Sequence, residues 1–286
     1  MRGPNHSADG PAAGHSRELA SGQRFAFGKN WESFLSALDE RRILAACGSV
    51  RDLLGLDSLE GKSFLDVGSG SGLFSLAAMR LGADKVLSFD YDPASVACGN
   101  ELKRRTFPGD PRWTISEGSV LDAGFIRSLG RWDLVYSWGV LHHTGAMWQA
   151  MENVRELVEV GGSLVLAIYN DQGGKSRRWR RIKKLYCRTP GPLRAALFFP
   201  IPLFYEMKWM IADIANARIP FRNWLGQGER GMSPYHDWID WLGGYPFEVA
   251  KPEEVFSFFQ RAGFVLEKLV TNLGGWANNE YVFRKP

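Results

Sequence analysis

The sequence predicts an α/β protein, a mostly parallel sheet flanked by helices. Three observations carry that expectation. Strand-like and helix-like segments alternate between residues 63 and 169, the first strand-like segment runs into a cluster of glycines, and the second ends in an aspartate. Strands joined by helices of this length form a parallel sheet with right-handed crossovers.

Each element follows from its local pattern. Trp31, Phe34, Leu35 and Leu38 recur at helical spacing, followed by Ile43, Leu44 and Val50. Ser63–Val67 reads as a strand and Ser71–Leu81 as a helix. Lys85–Phe89 is a second strand closed by Asp90, and Pro93–Arg105 is a helix whose proline suits a first turn. Trp113–Ser116 and Asp133–Tyr136 are the third and fourth strands. Met147–Val158 is an amphipathic helix, after which Gly161-Gly162 should turn the chain into a fifth strand, Leu164–Tyr169. The alternation stops near Asp171 and resumes at Pro252 with a helix to about Arg261. The segments Phe264–Val270 and Tyr281–Phe283 are too closely spaced for a crossover, so they form an antiparallel pair. The expected sheet has seven strands, mostly parallel with an antiparallel last strand, and a helical insertion lies between strands five and six.

Five segments result. Residues 1–24, rich in Gly, Ala, Ser, Pro and His without an apolar run, read as a disordered tail. Residues 25–58 form an N-terminal helical cap, 59–171 the core, 172–250 the insertion, and 251–286 the C-terminal part of the core. With 286 residues, 45% of them hydrophobic, the chain can bury one large core carrying an insertion. Cys47, Cys98 and Cys187 share no CxxC spacing, which argues against a disulfide or zinc framework and for a reducing, cytoplasmic setting. No run of 18 apolar residues marks a membrane span.

The central constellation is Leu65-Asp66-Val67-Gly68-Ser69-Gly70-Ser71-Gly72. Glycines at 68, 70 and 72 let the backbone turn sharply and approach a ligand closely. A bare glycine loop is equally an ordinary tight turn. Asp66 and Asp90, the latter eighteen residues after Gly72, make it more specific, because a carboxylate at the second strand end suits a ribose diol. The dinucleotide fingerprint would need glycine at 73, where Leu73 stands, and a pyrophosphate prefers a neutral or positive loop. A loop flanked by Asp66 suits a sulfonium nucleoside better.

On these residues the Rossmann-like core resembles the class I S-adenosylmethionine-dependent methyltransferases, and most closely the branch of ubiquinone-type O-methyltransferases. The resemblance covers about Lys62–Tyr169 and, more loosely, Pro252–Phe283. It implies S-adenosyl-L-methionine as cofactor. Gly68, Ser69, Gly70 and Gly72 would wrap its methionine moiety, with Asp66 near the amino group, Asp90 on the ribose and Tyr91 against adenine. Glu117-Gly118-Ser119-Val120 matches the adenine-edge motif. There Ser119 stands where many relatives carry Asp, and it is as well suited to cap a helix. Trp132 to Thr144 matches the fourth-strand motif, with Ser137 bordering the cofactor.

His142 and His143 follow that strand, and a histidine near its working pKa could deprotonate an attacking hydroxyl or amine. Packing is the competing role for either. Adjacent residues on a regular element face opposite sides, so at most one is expected to be catalytic. His236, four residues before Asp240, is a third candidate base, and an exposed pair on the insertion is the alternative. Asn170-Asp171 resembles part of a catechol-methyltransferase magnesium site, but Ser137-Trp138 supplies no matching carboxylate, and no metal is expected.

Seven of the ten residues Lys175–Lys184 are Lys or Arg, with Trp179, Ile182, Leu185 and Tyr186 on one side of the helix. An apolar segment from Ala195 to Tyr205 follows, then Trp209, Met210 and Ile211. A solvated lid over the site, a lid with peripheral membrane contact through 175–211, and a nucleic-acid grip all fit such a pattern. The expected function is methyl transfer to an O or N nucleophile of a small aromatic or lipid-like acceptor. RNA (tRNA) methylation and non-catalytic, regulatory cofactor binding are the alternatives.

Overall fold

The computed structural model describes residues 11–28, 35, 38–216, 234–272 and 277–286. The seven strands are β1 (Ser63–Val67), β2 (Lys85–Asp90), β3 (Trp113–Glu117), β4 (Trp132–Trp138), β5 (Val158–Tyr169), β6 (Val265–Val270) and β7 (Asn278–Arg284). They lie in the order β3-β2-β1-β4-β5-β7-β6, with β1 to β5 parallel and β7 antiparallel to both neighbours. The order reverses between β1 and β4, the crevice where open sheets of this kind take ligands.

The helices are α1 (Pro11–Ala20), α2 (Glu40–Leu54), α3 (Leu73–Arg80), α4 (Pro93–Thr106), α5 (Ala123–Ser128), α6 (Met147–Glu156), α7 (Gly174–Arg188), α8 (Gly191–Phe198), α9 (Pro200–Ala215), α10 (Pro234–Gly243) and α11 (Pro252–Arg261). Side chains of α2 and α3, with Cys98 and Leu102 of α4, pack on one face of the sheet, and those of α6 and α11 on the other. Local capping fixes where the helices begin. Asp39 accepts from the Arg42 amide at 2.9 Å, and Asp92, just before Pro93, accepts from the Ala94 amide at 2.9 Å. The insertion leaves and rejoins the core at one point, where Asp171 donates to the Ala250 carbonyl and Ala250 donates to the Tyr169 carbonyl.

Three expectations are corrected. Residues 11–24, assigned to a disordered tail on composition, form α1 and a turn that pack on the core through buried His15. Gly161-Gly162 does not precede the fifth strand. It lies inside β5, whose register against β4 jumps from Trp132↔Val158 to Leu134↔Ser163. Gly161 takes φ 79° there, which a glycine adopts without strain. On α7 the buried stripe is Ser176, Trp179, Lys183 and Tyr186, while Leu185 is exposed. One cation of the basic helix therefore faces inward.

Phe259 of α11 is fully buried, with ring centres 5.6 Å from Phe264 and 4.7 Å from Phe283. Phe259→Ala is expected to cost about 3–5 kcal/mol, because the closely packed face cannot collapse into the vacated volume. Urea denaturation checks this.

Candidate active site

The glycine loop is held from below. Gly68 and Ser69 donate to the Phe89 carbonyl, at 2.9 and 3.1 Å, and Gly70 donates to Asp90 Oδ2 at 2.8 Å. Gly68, Gly70 and Gly72 have φ of 75°, 53° and 80°, the left-handed region that side chains disfavour. A Cβ on Gly68 would sit 2.2 Å from Val140 Cγ1. The loop is thus pressed against the segment that follows β4.

Two carboxylates lie under and beside this loop. Asp66 is buried and accepts from Ser75 Oγ at 2.6 Å, and Ser75 in turn contacts Ser88 Oγ, which accepts from the Trp113 indole. Burial pushes its pKa up to about 7, with the Ser75 hydrogen bond opposing. Asp90 is half-buried and accepts from the amides of Gly70 and Asp92. Burial pushes it up to about 6.

The residues after β2 are covered by the N-terminal segment. The His15 ring meets Tyr91 edge-on at 5.3 Å, and the Arg24 guanidinium lies 4.9 Å over the same ring. Gly28 N donates to Asp92 Oδ2 at 2.8 Å. Arg24 also donates to the His143 carbonyl at 3.1 Å, so one arginine spans the ends of β2 and β4. The sequence reading missed Asp92 and Arg24. The Asp-Pro pair at 92–93 was a legible capping signal, whereas nothing local marked Arg24.

The adenine-edge residues are engaged within the protein. Ser119 Oγ accepts from Leu121 N at 3.2 Å, and the cap of α5 is Asp122, so the capping alternative for Ser119 is corrected. Val120 packs in the core, and its carbonyl accepts from Asn153. Ser137 is fully buried and donates to the Val67 carbonyl at 3.2 Å, tying β4 to β1.

His142 and His143 lie on a 3-10 turn, Leu141–His143. The tight turn overturns the expectation that only one faces inward. The ring centres are 4.4 Å apart, and lie 4.0 and 5.4 Å from the Tyr169 ring. The His142 ring is fully buried beside the Ala167 backbone, whose hydrogen bond favours the charged form. Burial, then His143 and Lys183, hold its pKa well below the usual value. His143 Nδ1 is 2.7 Å from the Pro246 carbonyl, which only accepts, so Nδ1 carries the proton and Nε2 presents a lone pair. Burial lowers His143 to about 3. Both rings are therefore neutral at physiological pH, unlike the near-neutral base first expected.

The insertion closes over these histidines with an aromatic wall. Tyr169, Trp241 and Phe247 pack together, and the Lys183 ammonium lies 4.1 Å over Trp241 and 4.9 Å over Phe247. Lys183 is fully buried and donates to the Trp241 carbonyl. Sequence reasoning missed it, although its place four residues after Trp179 on the apolar stripe was a usable signal. His236 lies on α10, but its side chain and that of Asp240 lie outside the described residues. Asp171 Oδ1 accepts from Gly173 N, and Asn170 Oδ1 accepts from Asn279. Among the described residues no three His, Cys, Asp or Glu side chains gather as metal ligands.

A family model described as a methyltransferase domain matches residues 65–164. The match spans 100 of the 286 residues. The ribosomal protein L11 methyltransferase of Chloroflexus aurantiacus is 42% identical over 72 residues, 25% of this chain and 21% of that protein. Its counterpart from Aliivibrio fischeri strain MJ11 is 43% identical over 58 residues, 20% and 19% of the two chains. The chain thus spans about a fifth of the length of these curated relatives. Magnesium protoporphyrin IX methyltransferase from Synechocystis PCC 6803, solved with bound SAH, superposes with TM-score 0.54 at 13% identity, covering 94% of this chain and 100% of that one. The PKMT2 structure from Rickettsia typhi in complex with AdoHcy gives 0.55 at 13%, covering 84% and 52%. The shared feature at these identities is the fold, and both of those structures hold the demethylated product of S-adenosylmethionine.

The residues present fit this cofactor by their own chemistry. Asp66 and Asp90 have raised pKa values because burial outweighs the hydrogen bonds that favour their charge, and a cationic ligand would offset that burial. In the protein alone their protonated forms are favoured, so the stability they contribute falls as pH rises from about 4 to about 7. A cation selects the ionised forms, so its binding releases protons over that range. The affinity for S-adenosylhomocysteine, which keeps the ammonium, should rise from pH 5.5 to 8. Asp90→Asn should flatten the rise and weaken binding about 10- to 100-fold, the loss of a charged hydrogen-bond acceptor. Calorimetry across pH measures both. Gly68→Ala should abolish binding, since the added methyl must displace Val140.

Proposed function

We propose that this chain transfers a methyl group from S-adenosylmethionine to an oxygen or nitrogen nucleophile of a small aromatic or lipid-like acceptor. The observation that carries the reading is the pair of raised-pKa carboxylates, Asp66 and Asp90, at a loop of left-handed glycines pressed against the end of β4. The neighbouring aromatic wall supports a flat or apolar acceptor, of the kind methylated by the ubiquinone-type branch.

The cofactor supplies an activated methyl carbon for direct displacement. The chain supplies the rest. Asp90 would accept from the ribose hydroxyls and Asp66 would balance the positive charge. His143 Nε2, its ring fixed by the Pro246 carbonyl, accepts a hydrogen bond from the acceptor hydroxyl or amine and orients its lone pair. With so low a pKa, His143 positions rather than stores the proton, which leaves to solvent once the new bond forms. His142 packs beside His143, the two ring centres 4.4 Å apart. Tyr169, Trp241 and Phe247 exclude water, so orientation and desolvation supply most of the rate. No disulfide joins the three cysteines, which fits a cytoplasmic protein, and the insertion's exposed apolar surface favours a membrane-peripheral one.

Turnover of S-adenosylmethionine with phenols, quinone precursors, amines and tRNA tests the reading. Phenolic or quinone-type acceptors should yield S-adenosylhomocysteine, and His143→Ala should lower kcat about 100-fold. The wild-type profile should show no inflection near pH 6.5 from these histidines, whose pKa lies far lower. Tight cofactor binding without turnover on any acceptor would make the chain a binding module instead.

A further inference from the structure

α8 runs into α9 through Phe199, which keeps helical torsions (φ −56°, ψ −36°), and α9 has two contrasting faces. Its inner face packs on the insertion through Ile201 and Tyr205, and Tyr205 and Trp209 stack on Trp238 of α10. Its outer face carries Leu203, Phe204, Met207, Ile211 and Ile214, each between 48% and 63% exposed. At 100° per residue these five fall within an arc of about 100°. Leu193 and Leu197 of α8 and Phe199 between the two helices are exposed as well. Soluble surfaces seldom expose so many contiguous apolar side chains without a partner.

Charge says what that partner is. Residues 172–205 contain nine Lys or Arg and no Asp or Glu, while the other 252 residues hold 26 Lys or Arg against 31 Asp or Glu. The whole cationic excess of the chain therefore sits in α7 and α8. Lys175, Arg177, Arg178, Arg181, Lys184 and Arg188 of α7 are exposed. The two carboxylates of α9, Glu206 and Asp213, are half-buried, and Glu206 accepts from the Trp238 indole. Among the described residues no helix is long and apolar enough to cross a membrane.

We propose that the outer face of α8 and α9 docks the protein on an anionic lipid surface, apolar side chains at the acyl boundary and α7 cations at the headgroups. An interfacial helix combines these two features, and anionic lipids attract each nearby Lys or Arg. A second copy of the chain would meet the same cations and be repelled. A nucleic acid would engage the cations but leave the apolar arc in water. The proposal deepens the methyltransferase reading by placing the lid, and the entrance it covers, where lipid-like acceptors reside.

Flotation of the full chain tests it, with vesicles of phosphatidylcholine alone and of phosphatidylcholine mixed with phosphatidylglycerol. The wild type should float with the mixed vesicles and dissociate as salt is raised. Phe204→Glu with Ile211→Glu should abolish flotation. Arg177→Glu with Arg181→Glu should weaken it roughly 25-fold or more, about fivefold for each cation lost. S-adenosylhomocysteine binding, retained in every variant, reports that the fold and the methyl-donor site are intact. Where the glutamate pair fails that control, Phe204→Ser with Ile211→Ser takes its place and must lower flotation. A wild type that binds S-adenosylhomocysteine but stays off mixed vesicles overturns the docking alone. Flotation unchanged in the apolar variants, or a dimer that those variants split, also overturns it. Flotation without S-adenosylhomocysteine binding overturns the methyltransferase reading and leaves the docking standing.

Discussion

The site depends on carboxylates that the fold buries beneath a glycine loop with less compensation than burial demands. Asp66 has the Ser75 hydroxyl, and Asp90 has two amides, yet both remain more easily protonated than in water. The contact between Gly70 and Asp90 fixes the loop to the end of β2, and the close approach of Gly68 to Val140 fixes it to the end of β4. A cationic ligand placed between these strand ends completes the electrostatics that the protein leaves unfinished. The chemistry then follows from what surrounds the β4 end.

Two segments distant in sequence converge there. The N-terminal stretch reaches Asp92 through Gly28 and the His143 carbonyl through Arg24, while the insertion reaches the same turn through Pro246 and Glu248, whose amide donates to the His142 carbonyl. The histidine turn is thus clamped by both covers of the site. That clamp accounts for the buried, neutral histidines: the backbone contacts that hold the rings also exclude the water that would stabilise imidazolium.

The core was legible because its signals are local. The glycine spacing at 68, 70 and 72 and the aspartates near the ends of β1 and β2 are properties of a strand-to-helix turn, and the stretch from Trp132 to Thr144 was legible by its resemblance to a fourth-strand motif. The short β6–β7 connection was readable as antiparallel from length alone. What escaped depends on long-range packing. Composition made 11–24 read as disorder, yet its helix is ordered by one buried histidine against Tyr91 and Asp92. The sequence reading put the cations of α7 away from its apolar side, yet Lys183 sits beneath Trp241 and Phe247, residues some 60 positions away in the chain. Pairing of β4 with a bulged β5 likewise hid Gly161 inside a strand. Ser119, Val120 and Ser137 were chosen by motif position, and the bonds they make inside the protein are visible only in three dimensions.

Carboxyl-carbon NMR of the chain labelled at aspartate measures the central claim directly. The account predicts two carboxyls titrating near pH 6 and 7 in the protein alone, both falling into the ordinary carboxylate range once S-adenosylmethionine is bound. Carboxyls that all titrate near pH 4 without ligand, or two raised values that S-adenosylmethionine leaves unmoved, would contradict it.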